Sequence, residues 1–453
     1  AAQVRQLRST ESLTKLVQNS VKLYSSLEDE TGQATGWQQS GSLSIATNSD
    51  RLTHIRRQVS LSKAFGIGAE EISVKEASEK WPLMRTNDLI GAVYSPSDGR
   101  VGPSDICAAL IKGAKSKGLQ VYEDTRVAGI RTKNGRVSAV QTEQGEITCE
   151  TVVNCAGIWG RSIAAMVGVT APLHACEHFY LLTELMDSIT SPLPTLSDHD
   201  GHIYLRDEGG GLLVGCFEPK GKALDLEQLP ENFVFDLLPE DWDHIEPIII
   251  NAIHRIPELE QTGVKMLING PESFTPDDRF LLGESPELRG FFLGCGMCSV
   301  GIASGGGAGQ ALAEWIMDGE PSMDLWSVDI RRFVPAQNTL RTLRERSPET
   351  LSLHYAVSFP GRQHQSSRNL RLSPLHSRLE SAGAEFAERM GWERPRWFNP
   401  ENKPTAPELS FEKPGWQSLH AEEHRAAREA VVLFDQSTFG KLLVQGRDAE
   451  SVL

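Results

Sequence analysis

Residues 290–316 constrain the fold of this 453-residue chain more than any other stretch. An apolar run at 291–293 predicts a buried strand, and an Ala/Leu/Trp periodicity predicts a helix that begins near Gln310. The seven glycines between them are Gly294, Gly296, Gly301, Gly305, Gly306, Gly307 and Gly309. Glycine lets main-chain N–H groups approach a ligand, and a helix N-terminus favours negative charge. The pattern predicts a ligand-contacting loop.

This glycine loop matches neither common nucleotide-binding fingerprint. It lacks Gly-Lys-Ser/Thr, and its glycines are not spaced as G-x-G-x-x-G. The acidic residue about 20 positions on, Glu314, falls inside the predicted helix rather than after a second strand. Two interpretations remain open, a contact with another kind of cofactor and a tight packing turn between strand and helix.

Composition excludes several classes of function. The formal charge of −15 and the absence of a basic face argue against a nucleic-acid or anionic-membrane partner. No apolar run approaches the roughly 18 residues needed to span a bilayer. Seven cysteines scattered through apolar segments predict reduced core residues of an intracellular protein. The chain starts Ala-Ala-Gln-Val without Met, and we expect it to be a fragment.

Two regions of alternating residues predict sheets. Between 121 and 155, the turns Asn134-Gly135 and Gln144-Gly145 join three strands. The last strand runs into Val-Asn-Cys-Ala-Gly-Ile-Trp at 153–159, a second place where backbone could meet a ligand. Residues 172–218 also predict strands. Helices are predicted at 10–30, 50–66, 70–82, 103–117, 239–258 and 375–390.

His174 and His178 formally match the zinc signature H-x-x-E-H, which requires a helix. Pro172 and the β-rich run that follows instead predict an extended segment, which would hold the imidazoles roughly 13 Å apart. We therefore expect no zinc site. His178 is then a satisfied core group or a catalyst.

Tyr204 and Arg206 alternate within a predicted strand and so share one face. The simpler interpretation is a solvent-facing strand. A planar guanidinium is also suited to a substrate carboxylate, which leaves Arg206 as a candidate binding residue.

Taken together, the 153–159 run, Phe274-Thr-Pro-Asp277 followed by Gly283, and the glycine loop resemble the flavin-dependent amine oxidoreductases typified by sarcosine and dimethylglycine dehydrogenases. The resemblance covers about residues 10–330, predicts an oxidoreductase domain at 1–330 and implies an α/β (α+β) fold. In that fold a doubly wound FAD-binding domain, here lacking its first βαβ unit, carries a mixed or antiparallel substrate sheet at about 37–100 and 172–275.

The resemblance continues beyond the catalytic unit. Residues 345–347, 368–371, 374–376 and 391–395 are similar to the family's central linker domain, expected at 331–395. A linker is expected at 396–415. Phe-Asp-Gln-Ser-Thr-Phe-Gly-Lys at 434–441 resembles the opening of the folate-binding, glycine-cleavage T-protein-like domain, expected from 416 to 453.

The resemblance also implies roles for particular residues. Hydride would pass from an N-methyl carbon to FAD, and the glycine-loop N–H groups with the helix end at 305–310 would stabilise the negative charge that develops on the flavin. His178, Tyr204 and Arg206 would face the substrate. The implied FAD contacts are Val127, Ala156, Gly157, Trp159, Gly294, Gly296, Met297, Gly301, Gly305, Gly306, Gly307 and Ala308.

Two branches of the family fit the sequence. Residues 174–183 and 240–244 are similar to the regulatory subunit of mitochondrial pyruvate dehydrogenase phosphatase, and residues 290–296 and 343–347 to sarcosine dehydrogenase. The regulatory branch implies a phosphatase catalytic subunit as partner. The enzymatic branch implies an N-methylated amino acid and electron-transfer flavoprotein. Both imply the mitochondrial matrix, FAD and, in the whole protein, tetrahydrofolate.

Overall fold

The computed structural model describes residues 2–230, 232–403 and 409–453. The chain divides into two compact units, Ala1–Ser358 and Phe359–Leu453. The helices of the first unit are α1 (Glu11–Thr31), α2 (Ser49–Ala64), α3 (Val74–Lys80), α4 (Pro103–Ser116), α5 (Gly160–Ala165), α6 (Trp242–Arg255), α7 (Gly301–Asp318) and α8 (Leu340–Leu353).

The strands of the first unit are β1 (Gln3–Val4), β2 (Ser42–Ala46), β3 (Glu70–Ile72), β4 (Gly91–Ser95), β5 (Gly99–Arg100), β6 (Val127–Lys133), β7 (Arg136–Thr142), β8 (Gly145–Thr148), β9 (Val152–Asn154), β10 (His174–Thr183), β11 (Thr195–Asp198), β12 (Ile203–Glu208), β13 (Gly211–Cys216), β14 (Lys222–Leu224), β15 (Val264–Phe274), β16 (Leu281–Glu284) and β17 (Phe291–Cys295).

A large mixed sheet forms one half of this unit. Among the described residues it contains nine strands, with β15 and β14 both paired to β10 and the order continuing β13-β12-β11-β2-β4-β3. Only β2 and β11 run parallel among its pairs, with Leu43 opposite Leu196. One face buries a core that includes Trp81, Phe179 and Leu205, with α6 over it through Ile245 and Ile248. The opposite face is left to form the wall of a cavity.

The other half of the unit is layered. β9 and β17 run parallel, and β16 pairs antiparallel with β17. Successive residues of β17 point to opposite sides: Phe292 packs with Leu16 and Trp315 of α1 and α7, while Phe291 and Leu293 enter a second core. That second core reaches the three-stranded meander β6-β7-β8 through Val137. The α/β class and the mixed substrate sheet are as the sequence predicts.

Helix α1 shows why local sequence was informative here. The side chain of Thr10 accepts a hydrogen bond from Leu13 N, and Gly32 ends the helix in the left-handed conformation with φ 62°. The buried residues include Leu13, Leu16 and Leu27 at helical spacing. The helix predicted at 10–30 is therefore confirmed.

The predicted start of α7 near Gln310 is wrong. The helix begins at Gly301, so five of the seven glycines of the supposed loop are helical. Glycine is a poor helix former by about 1 kcal/mol relative to alanine, which is why the sequence favoured a loop. Close contact with α1 overrides that preference. A β-carbon on Gly306 would lie 3.0 Å from Ser20 Cα, and one on Gly307 would overlap the Leu16 carbonyl.

The second unit contains α9 (His376–Ser381), β18 (Ala384–Arg389), β19 (Trp392–Phe398), α10 (Gln417–Glu429) and α11 (Ala449–Val452). The helix predicted at 375–390 is only half correct, because Gly383 adopts φ 83° and the chain continues as β18, paired antiparallel with β19. β19 occupies the start of the predicted linker at 396–415, and residues 404–408 of that linker lie outside the described residues.

The cysteines only partly follow the prediction. Cys176, Cys216, Cys295 and Cys298 are buried and reduced, as expected of core thiols. Cys107 and Cys155 are also free thiols but are exposed, since they lie on the outer side of α4 and at the end of β9. In the part of the chain that the structure describes, no helix combines the length and apolarity that crossing a bilayer requires.

Candidate functional site

An open cavity, with about 1160 Å³ of empty space including its mouth, lies against the face of the large sheet opposite α6. Tyr204 of β12 and Phe217, just after β13, line it on the sheet side, and Arg5 and Arg8 line it from the N-terminal segment. The residues that line it around the start of α7 are Ser299, Val300, Ile302 and Ala303. His354 and Tyr355, which follow α8, close it from a fourth direction. The cavity therefore lies between the large sheet and the glycine loop.

One wall of this cavity is aromatic. Phe217 stacks on His354 with ring centroids 4.1 Å apart, and Tyr355 stacks on His199 at 3.9 Å. Tyr204 meets Tyr355 edge to face at 6.4 Å. Burial, with Arg5 and Arg51 nearby, holds the pKa of His199 well below its usual value, so that ring is neutral at pH 7. The wall suits an apolar or planar ligand surface.

The Tyr204 ring packs over a glycine, Gly215, on the neighbouring strand. Tyr204 lies opposite Gly215 in the β12–β13 ladder, and its ring occupies the space that a β-carbon on Gly215 would need. Burial raises the pKa of Tyr204 well above its ordinary value. The phenol is therefore neutral and can act as a hydrogen-bond donor.

His178 adjoins the aromatic wall from behind. Its ring centroid is 4.9 Å from that of Phe217, and its Nδ1 is 3.3 Å from Glu218 Oε2. Its Nε2 lies 3.7 Å from Glu272 Oε2. The segment is extended, as predicted, because His178 sits in β10. Burial acts to lower the pKa of His178, but Glu218 and then Glu272 act against it, and the net pKa is raised.

The opposite end of the cavity is polar and carries excess positive charge. Among the described residues that line it, two guanidinium groups, Arg5 and Arg8, face one carboxylate, Asp98. Asp98 is already engaged, because it accepts hydrogen bonds from Gln6 N at 2.9 Å and Ser42 Oγ at 2.6 Å. The Nε atoms of Arg5 and Arg8 are buried without a partner in the described structure. Burial lowers the pKa of Arg8 to about 10. These groups are arranged to receive an anion.

The glycine loop presents main-chain donors to the same cavity. Val300, the N-cap of α7, provides no side-chain cap, and Ile302 and Ala303 line the cavity. Cys298 and Ser299 take left-handed backbone conformations with φ 45° and 64°, which non-glycine residues rarely adopt. A β-carbon on Gly296 would meet Thr275 at 2.9 Å. The loop backbone packs closely on Thr275, and no side chain caps the first N–H groups of α7. Such N–H groups can donate to an electron-rich carbonyl such as that of a flavin ring.

The predicted contacts at 153–159 lie at the same edge as this loop. β9 and β17 are parallel, with Asn154 opposite Leu293, so both chains leave the sheet at its carboxyl edge. Gly157 has φ 53° and open space around it, and Trp159 is 45 % exposed. Ala156 precedes Gly157 in the same turn, whereas Val127 opens β6 in the separate meander.

The other predicted site residues divide into two groups. Gly294, Gly296 and Met297 belong to the strand end and the loop before α7, and Gly301 is the first residue of α7. Gly305, Gly306, Gly307 and Ala308 lie in the second turn of α7, where Gly306 and Gly307 face α1. The N-terminal turn of α7 is therefore at 301–304 rather than at 305–310.

Arg206 takes a different position from the one expected for a substrate ligand. Its side chain is 5 % exposed and forms an ion pair with Glu208 of the same strand. It shares a face with Tyr204, as predicted, but the cavity walls described above do not include it. A carboxylate of the protein already engages its guanidinium.

Sequence reasoning missed Arg5, Arg8 and Glu218. Arg5 and Arg8 precede the first predicted helix in a segment without periodicity. Glu218 follows a strand of six buried residues and is itself 1 % exposed. A carboxylate two residues after a buried strand and directly before Pro219 was the available signal.

Comparisons with known proteins show which families the chain matches. Residues 1–315 match the model of FAD dependent oxidoreductases, residues 318–373 the FAD dependent oxidoreductase central domain, and residues 375–453 the glycine-cleavage T-protein N-terminal domain. Among solved structures, glycine oxidase from Geobacillus kaustophilus superposes with a TM-score of 0.62 at 25% identity, covering 74% of this chain and 88% of that one.

Curated relatives extend over nearly the whole chain. Mitochondrial sarcosine dehydrogenase of Mus musculus is 41% identical over 98% of this chain and 51% of its own length. The mitochondrial pyruvate dehydrogenase phosphatase regulatory subunit of Mus musculus is 41% identical over 97% and 50%. 4-Methylaminobutanoate oxidase (formaldehyde-forming) of Paenarthrobacter nicotinovorans is 38% identical over 98% and 54%.

The chain thus spans about half the length of the curated relatives it matches. The match to the oxidoreductase model over residues 1–315, together with 41% identity to sarcosine dehydrogenase, fixes its place among them. This chain belongs to the FAD-dependent oxidoreductase family, in the group that contains the sarcosine and dimethylglycine dehydrogenases and the phosphatase regulatory subunit.

Proposed function

We propose that the protein to which this chain belongs oxidises the C–N bond of an N-methylated amino acid with FAD. The observation that carries the proposal is the division of one cavity into an arginine end and an aromatic end, with the start of α7 opening between them. A carboxylate and an amine on one small molecule would match the two ends. Relatives named for sarcosine and 4-methylaminobutanoate act on compounds of this kind.

The charged end would bind the substrate. Arg5 and Arg8 have buried, unpartnered Nε atoms, and a substrate carboxylate would supply the acceptors that Asp98, engaged by Gln6 and Ser42, does not. Arg206, the sequence candidate for this role, already pairs with Glu208. We therefore transfer the carboxylate-binding role from Arg206 to Arg5 and Arg8.

The aromatic end would orient the amine. The neutral phenol of Tyr204 can donate to or accept from the amine nitrogen, and its position over Gly215 fixes the direction of that bond. His178 lies one ring behind, against Phe217, and would support this end of the cavity from behind, between the carboxylates of Glu218 and Glu272. Tyr204 would thus orient the neutral amine, the form whose N-methyl carbon can lose a hydride.

FAD, when bound, supplies the hydride acceptor. Gly294, Gly296, Met297 and Gly301 would hold its ring, with the uncapped N–H groups at the start of α7 facing the carbonyl that gains charge. Ala156, Gly157 and Trp159, at the carboxyl edge of β9, and Val127 would hold the adenine end. Gly305 and Ala308 lie in the second turn of α7 and would affect FAD binding only indirectly, through the position of the first turn.

A second function has support of its own. The phosphatase regulatory subunit is as similar to this chain as sarcosine dehydrogenase, at 41% identity over nearly all of it. In that case the output would be binding to a phosphatase catalytic subunit, and the cavity would hold flavin without turnover. The enzymatic case implies electron-transfer flavoprotein instead. Mitochondrial relatives favour the matrix in both cases, and the T-protein match favours folate binding in the whole protein.

The test uses the full-length protein purified with FAD. Anaerobic addition of sarcosine, dimethylglycine or 4-methylaminobutanoate should bleach the flavin absorbance, and Tyr204→Phe should slow the bleaching about 100-fold or more while the visible spectrum is retained. A flavin that none of the three amines reduces would contradict the enzymatic function. Pull-down of a phosphatase catalytic subunit by that same preparation would establish the regulatory one.

A further inference from the structure

The strongest polar cluster outside the cavity walls lies behind them, around His178. Two carboxylates flank this ring, Glu218 at Nδ1 and Glu272 near Nε2. Glu218 is 1 % exposed and His178 is 9 % exposed, so neither charge is screened by bulk water. Burying a carboxylate costs free energy unless the carboxylate is paired and hydrogen-bonded. The partners of Glu218 therefore explain why it can be buried.

Glu218 forms two contacts with consecutive residues of β10. Its Oε1 accepts the main-chain N–H of Phe179 at 3.0 Å, while its Oε2 faces His178 Nδ1 at 3.3 Å. One carboxylate therefore fixes both the backbone beside the ring and the ring itself. Because Glu218 follows Phe217 directly, the same bond sets the position of the ring that separates His178 from the cavity.

Only Glu218, His178 and Glu272 carry charge among the described side chains of this cluster. The thiols of Cys176 and Cys216 are protonated, since burial, and then Glu218, raise their pKa values well above the usual range. Glu272 bridges outward, accepting a hydrogen bond from Ser299 Oγ at 3.0 Å, and Ser299 lines the cavity before α7. The cluster thus runs from the buried Glu218 through His178 and Glu272 to the glycine loop.

We propose that Glu218 is a positioning residue of the site, which holds His178 as an imidazolium of fixed orientation behind Phe217. The proposal deepens the function argued above, because it assigns His178 a fixed charge and not the removal of the substrate's proton. A ring that is already protonated cannot accept that proton. Glu218 acts through His178 and does not touch the cavity, so it is not itself a catalytic residue.

Directions of the two pKa shifts agree with this pairing. Burial acts to raise the pKa of Glu218, yet the charge of His178 and their hydrogen bond outweigh it and the net pKa is lowered. The pKa of His178 is raised by the same partner. Each group therefore favours the ionised form of the other.

The test reads the charge of His178 directly. The full-length FAD-bound protein is labelled at histidine Cε1, the His178 resonance is assigned by its loss in His178→Gln, and its shift is followed from pH 6 to pH 9. We expect an imidazolium at pH 7.5 in the wild type. In Glu218→Gln, whose amide retains an acceptor for Phe179 N–H, the titration midpoint should fall by about one pH unit or more. A neutral His178 in the wild type would overturn the proposal.

Two further variants separate a local effect from a general one. Glu146→Gln removes a carboxylate from the exposed strand β8 and should leave the His178 midpoint unchanged. Glu272→Gln should lower the midpoint by less than Glu218→Gln does, since its oxygen is more distant and its side chain is 29 % exposed. Equal midpoints in Glu218→Gln and wild type would also refute the role of Glu218. The readout needs no turnover, so it stands whether or not an amine reduces the flavin.

Discussion

Leu16 and Gly307 meet backbone to backbone where α1 crosses α7. A β-carbon on Gly307 would overlap the carbonyl oxygen of Leu16, and one turn earlier the hydroxyl of Tyr24 donates to Ile302 O at 2.8 Å and accepts from Gly306 N at 3.1 Å. The glycines of α7 thus permit a helix crossing close enough for a side chain of α1 to bond the α7 backbone. Their positions decide which of them tolerate a side chain.

Gly307→Ala should destabilise the protein by about 1–3 kcal/mol, because the new methyl group must push α1 away from α7. Gly309→Ala is the matched control in the same helix. No atom lies within 4 Å of a β-carbon at Gly309, so alanine should be neutral or stabilising by up to about 1 kcal/mol. Urea unfolding of both variants measures the difference, and equal midpoints would contradict the packing role.

Gly215→Ala should cost about 1–3 kcal/mol through the collision of its methyl group with the Tyr204 ring. A double-mutant cycle isolates that cause. In a Tyr204→Ala background the same substitution should cost less than half as much, because the ring is gone. Additive losses in the free energy of unfolding would show that the two residues are not coupled.

Arg8→Gln should raise the KM for sarcosine about 100-fold with a smaller change in kcat, if its guanidinium holds the substrate carboxylate. The same variant should oxidise dimethylamine, which has no carboxylate, as fast as the wild type does. Arg131→Gln, on the exposed strand β6, removes an equal charge as a control. A similar loss of activity with both amines would indicate that Arg8 acts on the flavin and not on the substrate carboxylate.

Acid should weaken the ion pair between Arg255, the last residue of α6, and Asp88. Arg255 hydrogen-bonds Asp88 at 2.9 Å through two nitrogens and lowers the pKa of Asp88 from 3.8 to about 2. A carboxyl with a depressed folded-state pKa stabilises the fold above pH 4, and that contribution is lost as pH falls from about 4 to 2. With a third of the side chain exposed, the contribution is about 1–2 kcal/mol.

Asp88→Asn tests that contribution through the pH dependence of stability. The variant should lose this 1–2 kcal/mol at pH 7 and differ less from the wild type at pH 3, as measured by urea midpoints. Asp105→Asn, at the start of α4, serves as a control for removing one negative charge. A constant difference between wild type and Asp88→Asn over this range would contradict the assignment.

Local signals predicted much of the fold but not the start of α7. The cap at Thr10, the turn at Asn134-Gly135 and the extended run at His178 each depend on neighbours in the sequence, and the structure has all three. The glycines of α7 depend on α1, nearly 290 residues away in the sequence. No local sequence pattern distinguishes a glycine in a flexible loop from a glycine in a helix that packs closely against a second helix.

The candidate site was harder to predict than the fold. Tyr204 could be placed on a face by alternation, yet the same alternation selected Arg206, whose guanidinium turns out to pair with Glu208. The charged end of the cavity comes from Arg5 and Arg8, whose segment is held by the pairing of β1 with β5 and by the bond from Gln6 N to Asp98. Residues that are brought together by a long-range strand pairing have no characteristic spacing in the sequence, so no sequence motif identifies them.

The bond between Tyr24 and Ile302 joins positions 278 residues apart. The first turn of α7, with its free N–H groups, therefore gains this tertiary support only after the two ends of the first unit have met. Forming so distant a contact has a large entropic cost, and we expect the cofactor loop to order late in folding. Pulse-labelled hydrogen exchange at Gly306 would show protection after that of β10, and earlier protection at Gly306 would contradict this order.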